Sequence, residues 1–301
     1  MVGQIVELAS EGRRIGLERG FLTVTSDMGV GRVAIDDVEA VIASAQGLTY
    51  SNAILAALAE RGAPLVICGK NYAPTAVLLS LDGHYEQGHR IAAQATASKP
   101  VSKQLWAQLV RAKIVAQSLM LARFGENTAR LDRLADQVKS GDPDNLEAQA
   151  AQAYWPLLLG KDFRRNRDGS DINTFLNYGY AVLRAASARA IAGSGLHPSL
   201  SIHHQSRGEA LRLADDIMEP FRPAVDYVAK NLWAAGENEL TPQVKLTLAK
   251  VLQLDYQTTN GRTPLSVCLS RLCNSLARVY LKETDKLDLP KPLIPIKDSG
   301  Q

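Results

Sequence analysis

The spacing of hydrophobic positions changes character near residue 84. Before that point they come in short, largely apolar runs: Ile5-Val6, Ile15 to Leu17, Phe21 to Val24, Arg32 to Ile35 and Val38 to Ile42. Gly- or Asp-bearing clusters separate the runs, at Glu11-Gly12, Arg19-Gly20, Met28 to Gly31 and Asp36-Asp37. Runs this short, rich in β-branched residues and bounded by breakers, predict strands. The short gaps favour antiparallel hairpins or a sandwich over βαβ units. One helix interrupts them, Ser51 to Arg61, with Ser51 as its N-cap and Gly62 just past its end. Pro64 to Cys68 and Ala76 to Leu81 are further strands.

Beyond residue 102 the period becomes helical. Leu105, Leu109, Ala112, Val115 and Leu119 mark a helix over Ser102 to Phe124. Others are predicted over Asn127 to Lys139, ended by the Gly141-Asp-Pro143 turn, over Asn145 to Leu159, and over Ile172 to Ala192, ended by Gly193 and Gly195. The pattern resumes from Gly208 and then over Pro223 to Asn231, Thr241 to Leu254 and Thr263 to Tyr280. The stretch 84–103, with His84, His89 and Lys99-Pro100, reads as a linker or a short helix, and its histidines as surface residues. Pro290, Pro292 and Pro295 predict an extended tail, docked on a neighbour or mobile. The expected fold class is α+β. A small β-sandwich-like domain over 1–83 and a linker over 84–103 precede an all-α domain over 104–288 and a Pro-rich tail over 289–301.

Composition narrows this only a little. The 301 residues are 46% apolar and 22% charged, which suits a globular core and excludes wholesale disorder. A net charge of +3 is compatible with a nucleic-acid partner without pointing to one. Cys68, Cys268 and Cys273 are odd in number and lack a C-x-x-C spacing, which argues against a disulfide framework or a structural zinc site and suits a reducing cytoplasm. No apolar run approaches the roughly eighteen residues of a membrane span.

Candidate chemistry concentrates in HHQSRGEALRLADDIMEPFRP, from His203. On a helix Asp216 and Glu219 are i, i+3 neighbours and Asp215 and Glu219 are i, i+4 neighbours, so either pair presents two carboxylates on one face. Pro220 disfavours helical backbone angles at Glu219 and predicts a kink or helix end there. Carboxylates and an imidazole converging would suit a divalent cation, although acid pairs on helices are usually solvated. Glu147 opens its helix and also suits the helix dipole there. Lys161, Arg164, Arg165 and Arg167 form the densest basic cluster, able to neutralise phosphates or simply to be solvated. Asn173 and Asn177 lie in an otherwise apolar helix, either satisfying buried backbone or meeting a partner. No Ser-His-Asp, Cys-His or phosphate-loop pattern stands out.

Taken jointly, Glu147 in LEAQAAQAYWPLLLG, the segment DINTFLNYGYAVLRAASARAIAGSGLHPSLSIHH from Asp171, and LADDIMEPFRP from Leu213 resemble the CRISPR-associated integrases of spacer acquisition, the Cas family numbered one. The opening IVELASEGRRIGLERGFLTV is similar too, and MEPFRP looks most like the type II branch. The resemblance implies a β domain followed by an α-helical catalytic domain. It places metal ligands at Glu147, His204 and Glu219, where many members have Asp at the last position, and a further acid at Asp216, either supporting the ligands or joining them conditionally. His203 is the less favoured histidine. The implied reaction inserts a DNA fragment into the CRISPR repeat through attack of its 3′-hydroxyl on a phosphodiester, with Mg²⁺ or Mn²⁺ as the cofactor. Implied partners are double-stranded DNA, a second copy paired through the N-terminal domain, the small partner protein numbered two, and the effector nuclease. Phosphate contacts are expected from Lys161, Arg164 and Arg165, with Arg184 and Arg189 as additions. The alternatives are a non-catalytic DNA-binding scaffold of the same fold and a hydrolase of small phosphoesters. The latter class's adjacent His-Asp is missing, since Gln205 follows His204.

Overall fold

Runs of β-branched residues do form strands at the N-terminus. The computed structural model describes residues 4–27, 29–69, 74–81, 84–166, 169–204 and 210–296. Met28, Arg167, Gln205, Gly208 and the tail beyond 296 therefore lie outside the described residues. Strands β1 (Gln4–Leu8), β2 (Arg14–Glu18), β3 (Phe21–Ser26), β4 (Gly29–Ala34), β5 (Val38–Ala43) and β6 (Thr49–Tyr50) precede helix α1 (Asn52–Arg61); β7 (Leu65–Cys68) and β8 (Pro74–Leu78) follow it. Ser51 caps α1 by accepting from the Ile54 amide, and Gly62 ends it in the left-handed region.

Pairing corrects the antiparallel expectation. One sheet runs β4-β3-β2-β6, with antiparallel β2–β3 and β3–β4 pairs. The other runs β1-β5-β7-β8, and both β1–β5 and β5–β7 are parallel. Strand β7 returns beside β5 after α1, so this half contains the βαβ-type crossover that the short gaps argued against. The signal was in β5, where all six residues are buried. A run buried on both faces marks a covered parallel strand rather than one side of a hairpin. Leu8, Ile15, Leu22, Val41, Ile54 and Leu58 close one core between the sheets and α1.

The rest is helical apart from one hairpin. Helices α2 (Gln87–Ala95), α3 (Lys99–Arg123), α4 (Ala129–Gln137), α5 (Leu146–Leu159), α6 (Asn173–Gly193), α7 (Arg212–Met218), α8 (Arg222–Ala234) and α9 (Pro242–Ala249) lead to β9 (Asp255–Thr258), β10 (Gly261–Pro264) and α10 (Leu265–Tyr280). Sequence periodicity missed the β9–β10 hairpin, whose Asn260-Gly261 step turns at a positive φ of 88°. Hence α10 begins two residues later than Thr263.

Of the two readings of 84–103, linker or short helix, the helix is the one that forms. Helix α2 fills the middle of that stretch, and α3 starts at Lys99 with Pro100 in its first turn, where no amide is missed. Gln94 donates to the carbonyls of His197 and Leu200 and accepts from the His197 amide, while Arg90 donates to the Ser194 carbonyl. So α2 clamps the segment that leads into His203-His204 and belongs with the helical lobe. The described tail is docked: Ile296 N donates to Asp255 O at 2.7 Å, and Arg123 donates to the Pro295 carbonyl.

Helix α6 runs through the middle of this lobe, buried along most of its length. Gly179 lets it approach α8 closely; a Cβ there would meet a Val225 methyl at 2.4 Å. Among the described residues, the ion pairs Lys245–Glu7 at 3.0 Å and Arg189–Glu39 at 3.2 Å tie the lobes together.

Candidate metal centre

Glu147 reaches its place through a cap. After the left-handed residues Asp142 and Asn145, the Asp142 carboxylate accepts from the amides of Leu146 and Glu147 at 2.8 and 3.1 Å. The cap fixes the first turn of α5 and points Glu147 towards α3. There its Oε1 accepts a 2.5 Å hydrogen bond from Lys113 Nζ.

Glu219 arrives at the same ammonium from the far side. Helix α7 ends at Met218, a 3₁₀ turn covers Glu219–Phe221, and α8 begins at Arg222. The break at Pro220 is where the sequence places it. Glu219 nevertheless keeps helical angles, φ −53° and ψ −46°, so the proline breaks the hydrogen-bond ladder rather than the conformation before it. Glu219 Oε2 lies 2.6 Å from Lys113 Nζ, and Oε1 lies 3.0 Å from Arg222 Nε. Neither Oε2 nor Arg222 Nε makes an aligned hydrogen bond, so charge more than hydrogen-bond geometry holds these contacts. The side chain is only 4% exposed. Burial pushes its carboxyl upward, but Arg222 and then Lys113 outweigh burial and hold it below the usual range. Lys113 is the mirror image: burial lowers it, and Glu219 and Glu147 together raise it.

The imidazole is set from below. Asp216, fully buried, accepts from the amides of Ile202, His203 and His204 and contacts His204 Nδ1 at 2.7 Å. One carboxylate therefore orders the backbone and fixes the ring, leaving Nε2 for a ligand. That hydrogen bond raises the His204 pKa, against burial, with smaller help from the charges of Asp216 and Glu219. The His203 ring instead lies flat on Trp106, centroids 4.2 Å apart and planes 4° from parallel, and Trp106 meets His204 edge-on. Asp215 is turned away into a two-point pair with Arg184 at 2.7 and 2.8 Å.

Among the described residues, no three His, Cys, Asp or Glu side chains are gathered closely enough to hold a metal as they stand. The Lys113 ammonium lies within 2.6 Å of a carboxylate oxygen of each glutamate. The donor set still fits a hard divalent cation: two carboxylates, one with a buried oxygen lacking any aligned donor, and an imidazole with a fixed tautomer.

The basic cluster splits in two. Arg165 turns inward, donating to Asn173 Oδ1 at 2.8 Å and Asn177 Oδ1 at 2.6 Å, with its guanidinium over the Tyr180 ring. The two asparagines thus anchor this loop; Asn173 also holds the Asn166 amide and the Arg164 carbonyl. Lys161 and Arg164 stay exposed at its surface. Arg184 and Arg189 are already paired, with Asp215 and Glu39.

A family profile described as "CRISPR associated protein Cas1" matches residues 6–244. The chain belongs to the Cas1 family. A "CRISPR-associated endonuclease Cas1" from Neisseria meningitidis serogroup C is 34% identical over 296 residues, 97% of each chain. The fold is similar to a "Casposase bound to integration product", with a TM-score of 0.81, 20% identity, and coverage of 98% of this chain and 96% of that one. It is also similar to a chain of a "Cas6-RT-Cas1–Cas2 complex", with a TM-score of 0.76 and 18% identity over 96% of this chain and 36% of that one.

Three residues of this Cas1-family chain that the sequence reading passed over stand out in the folded site. Lys113 and Trp106 are two helical turns apart, hence on one face of α3. The local trace was a lysine just ahead of the mostly apolar run Ile114 to Leu121. Asp226, on α8, accepts from Tyr154 Oη at 2.9 Å and Tyr180 Oη at 2.5 Å, behind Arg222, whose guanidinium lies 4.8 Å from the Tyr180 ring. Its partners lie on α5 and α6, and no spacing in the chain announces them. The three cysteines are buried and unpaired. No helix among the described residues is long and apolar enough to cross a membrane.

Proposed function

We propose that this chain is a metal-dependent DNA integrase and endonuclease of CRISPR adaptation, of the type II branch, loaded with Mg²⁺ or Mn²⁺. One observation supports this above all: Glu147 and Glu219, on separate helical segments, point at one cation beside an imidazole held by its own carboxylate. Glu147, Glu219 and His204 Nε2 would hold the metal, and Asp216 would keep His204 in the ligating tautomer. A bound cation would supply Lewis-acid stabilisation of charge on the attacked phosphodiester and its departing oxygen. The nucleophile is the fragment's own 3′-hydroxyl: its oxygen–phosphorus bond forms as the repeat's ester bond breaks, so no protein nucleophile is required. Water in its place gives cleavage.

The rest of the site divides the binding work. Lys161 and Arg164 are exposed and would meet phosphates along the DNA, Arg164 while one of its nitrogens donates to the carbonyls of Lys161 and Phe163, and Arg165 holds the loop that presents them. Arg184 would contribute only if substrate draws it from Asp215. In the wider assembly, a second copy, a Cas2-type partner and the effector nuclease complete the complex that handles the repeat.

The test is strand transfer of a labelled fragment into repeat DNA with Mn²⁺ or Mg²⁺. Product should form with the wild type and vanish with Glu147→Ala, with chelator, or with a fragment lacking its 3′-hydroxyl. DNA binding that persists without any metal-dependent product would favour the non-catalytic scaffold.

A further inference from the structure

Lys113 stands where a cation belongs. Its Nζ lies 2.5 Å from Glu147 Oε1 and 2.6 Å from Glu219 Oε2. It is 12% exposed, and it projects from α3 between the buried Ala112 and Ile114. A lysine in such a place costs desolvation, which here is offset only by the two carboxylates. Removing it would leave those carboxylates facing each other, with Arg222 and, when protonated, His204 left to balance Glu219. A divalent ion cannot bind both glutamates while the ammonium sits between them, because the two cations would share the same oxygens and repel. The unbranched stem of lysine lets the ammonium withdraw while α3 stays fixed.

We propose that Lys113 is the resident counter-ion of this centre. It holds Glu147 and Glu219 in ligating position while the metal is absent, and it must be displaced for a divalent cation to enter. The metal concentration at which the centre loads is therefore set by Lys113 as well as by the ligands. This makes Lys113 a positioning residue with two opposed effects: it prevents collapse of the empty site and it weakens metal affinity. The inference rests on the metal reading above, and its test separates the two.

Mn²⁺ binding to the full-length protein is titrated by the free-ion electron paramagnetic resonance signal, for the wild type and for Lys113→Gln, Lys113→Met, Lys113→Arg and Glu147→Ala. Lys113→Gln and Lys113→Met should bind Mn²⁺ about tenfold more tightly, the scale expected on removing one competing charge from a partly buried site. Lys113→Arg, which keeps the charge, should bind no more tightly than wild type. Without metal, the Gln and Met variants should melt at a lower temperature and recover more on adding Mn²⁺ than wild type does. A variant-free measurement uses ¹⁵N-labelled lysine: the Lys113 ammonium signal, protected in the ion pairs, should lose protection when Mg²⁺ is added.

Wild-type binding that is lost in Glu147→Ala but no tighter in the Gln and Met variants would overturn the role of Lys113 while leaving the metal centre standing. So would a Lys113 signal that stays protected with Mg²⁺ bound. Absence of Mn²⁺ binding in every form, wild type included, would overturn the metal reading and this inference with it.

Discussion

Glu219 and Asp226 are two buried carboxylates one heptad apart, on either side of the start of α8, and they are treated in opposite ways. Glu219 is ringed by Lys113, Arg222 and His204, and its carboxyl is held below the ordinary range despite burial. Asp226 is met first by the hydroxyls of Tyr180 and Tyr154, with Arg222 and Arg165 more remote, and burial pushes it up to about 6. Burial alone would raise both. The neighbours decide: cations keep Glu219 charged and suited to a metal, while hydroxyls give Asp226 hydrogen bonds without full compensation of its charge. Glu219, on the proposed metal reading, would exchange its cationic partner. The other ties α5, α6 and α8 together behind it.

The comparison can be pressed hardest through activity. Glu219→Ala should cut strand transfer by about a thousandfold or more, the several kcal/mol that a misheld Lewis acid forfeits. Asp226→Asn keeps the tyrosine contacts and touches no reacting group, so its transfer rate should stay within about tenfold of wild type. Equal losses in the two variants would erase the distinction.

The next effect is on stability, and its sign follows from linkage. The folded pKa of Asp226, about 6, lies above its ordinary 3.8. The protonated form is therefore favoured by folding: its contribution is complete below about 4 and is lost as pH rises through about 6. Asparagine cannot lose that proton. The stability of Asp226→Asn relative to wild type should improve by about 2 kcal/mol between pH 4.5 and pH 8, measured by denaturant unfolding. A difference independent of pH would mean that Asp226 is charged in the fold just as Glu219 is.

The smallest effects separate the arginines of the basic loop. Arg165→Ala should cost about 1–3 kcal/mol of stability, because Asn173 and Asn177 lose their charged donor. Arg164→Ala should leave stability within about 0.5 kcal/mol and instead weaken DNA affinity, lowering its salt slope by about one. A reversed pattern would put Arg165, not Arg164, on the DNA.

Much of this was legible before the fold was known. Helical periodicity placed α3 to α10 within a few residues, Ser51 and Gly62 bounded α1, and Pro220 located the break under Glu219. Each of those signals is local, a matter of period, cap or missing amide. What was misread or left open has the opposite property. The parallel place of β5 depended on which strands flank it, and the choice between linker and short helix at α2 rests on contacts with residues about a hundred positions away.

By itself, then, the chain determined most of its elements and, through resemblance, named the candidate acids and histidine. Only the tertiary structure decided what those groups face. It put the Lys113 ammonium between Glu147 and Glu219, laid His203 on Trp106, fixed His204 with Asp216, and set Asp226 among hydroxyls. Electrostatic character depends on distances through space, and those are created when remote helices pack. No spacing along a sequence encodes them.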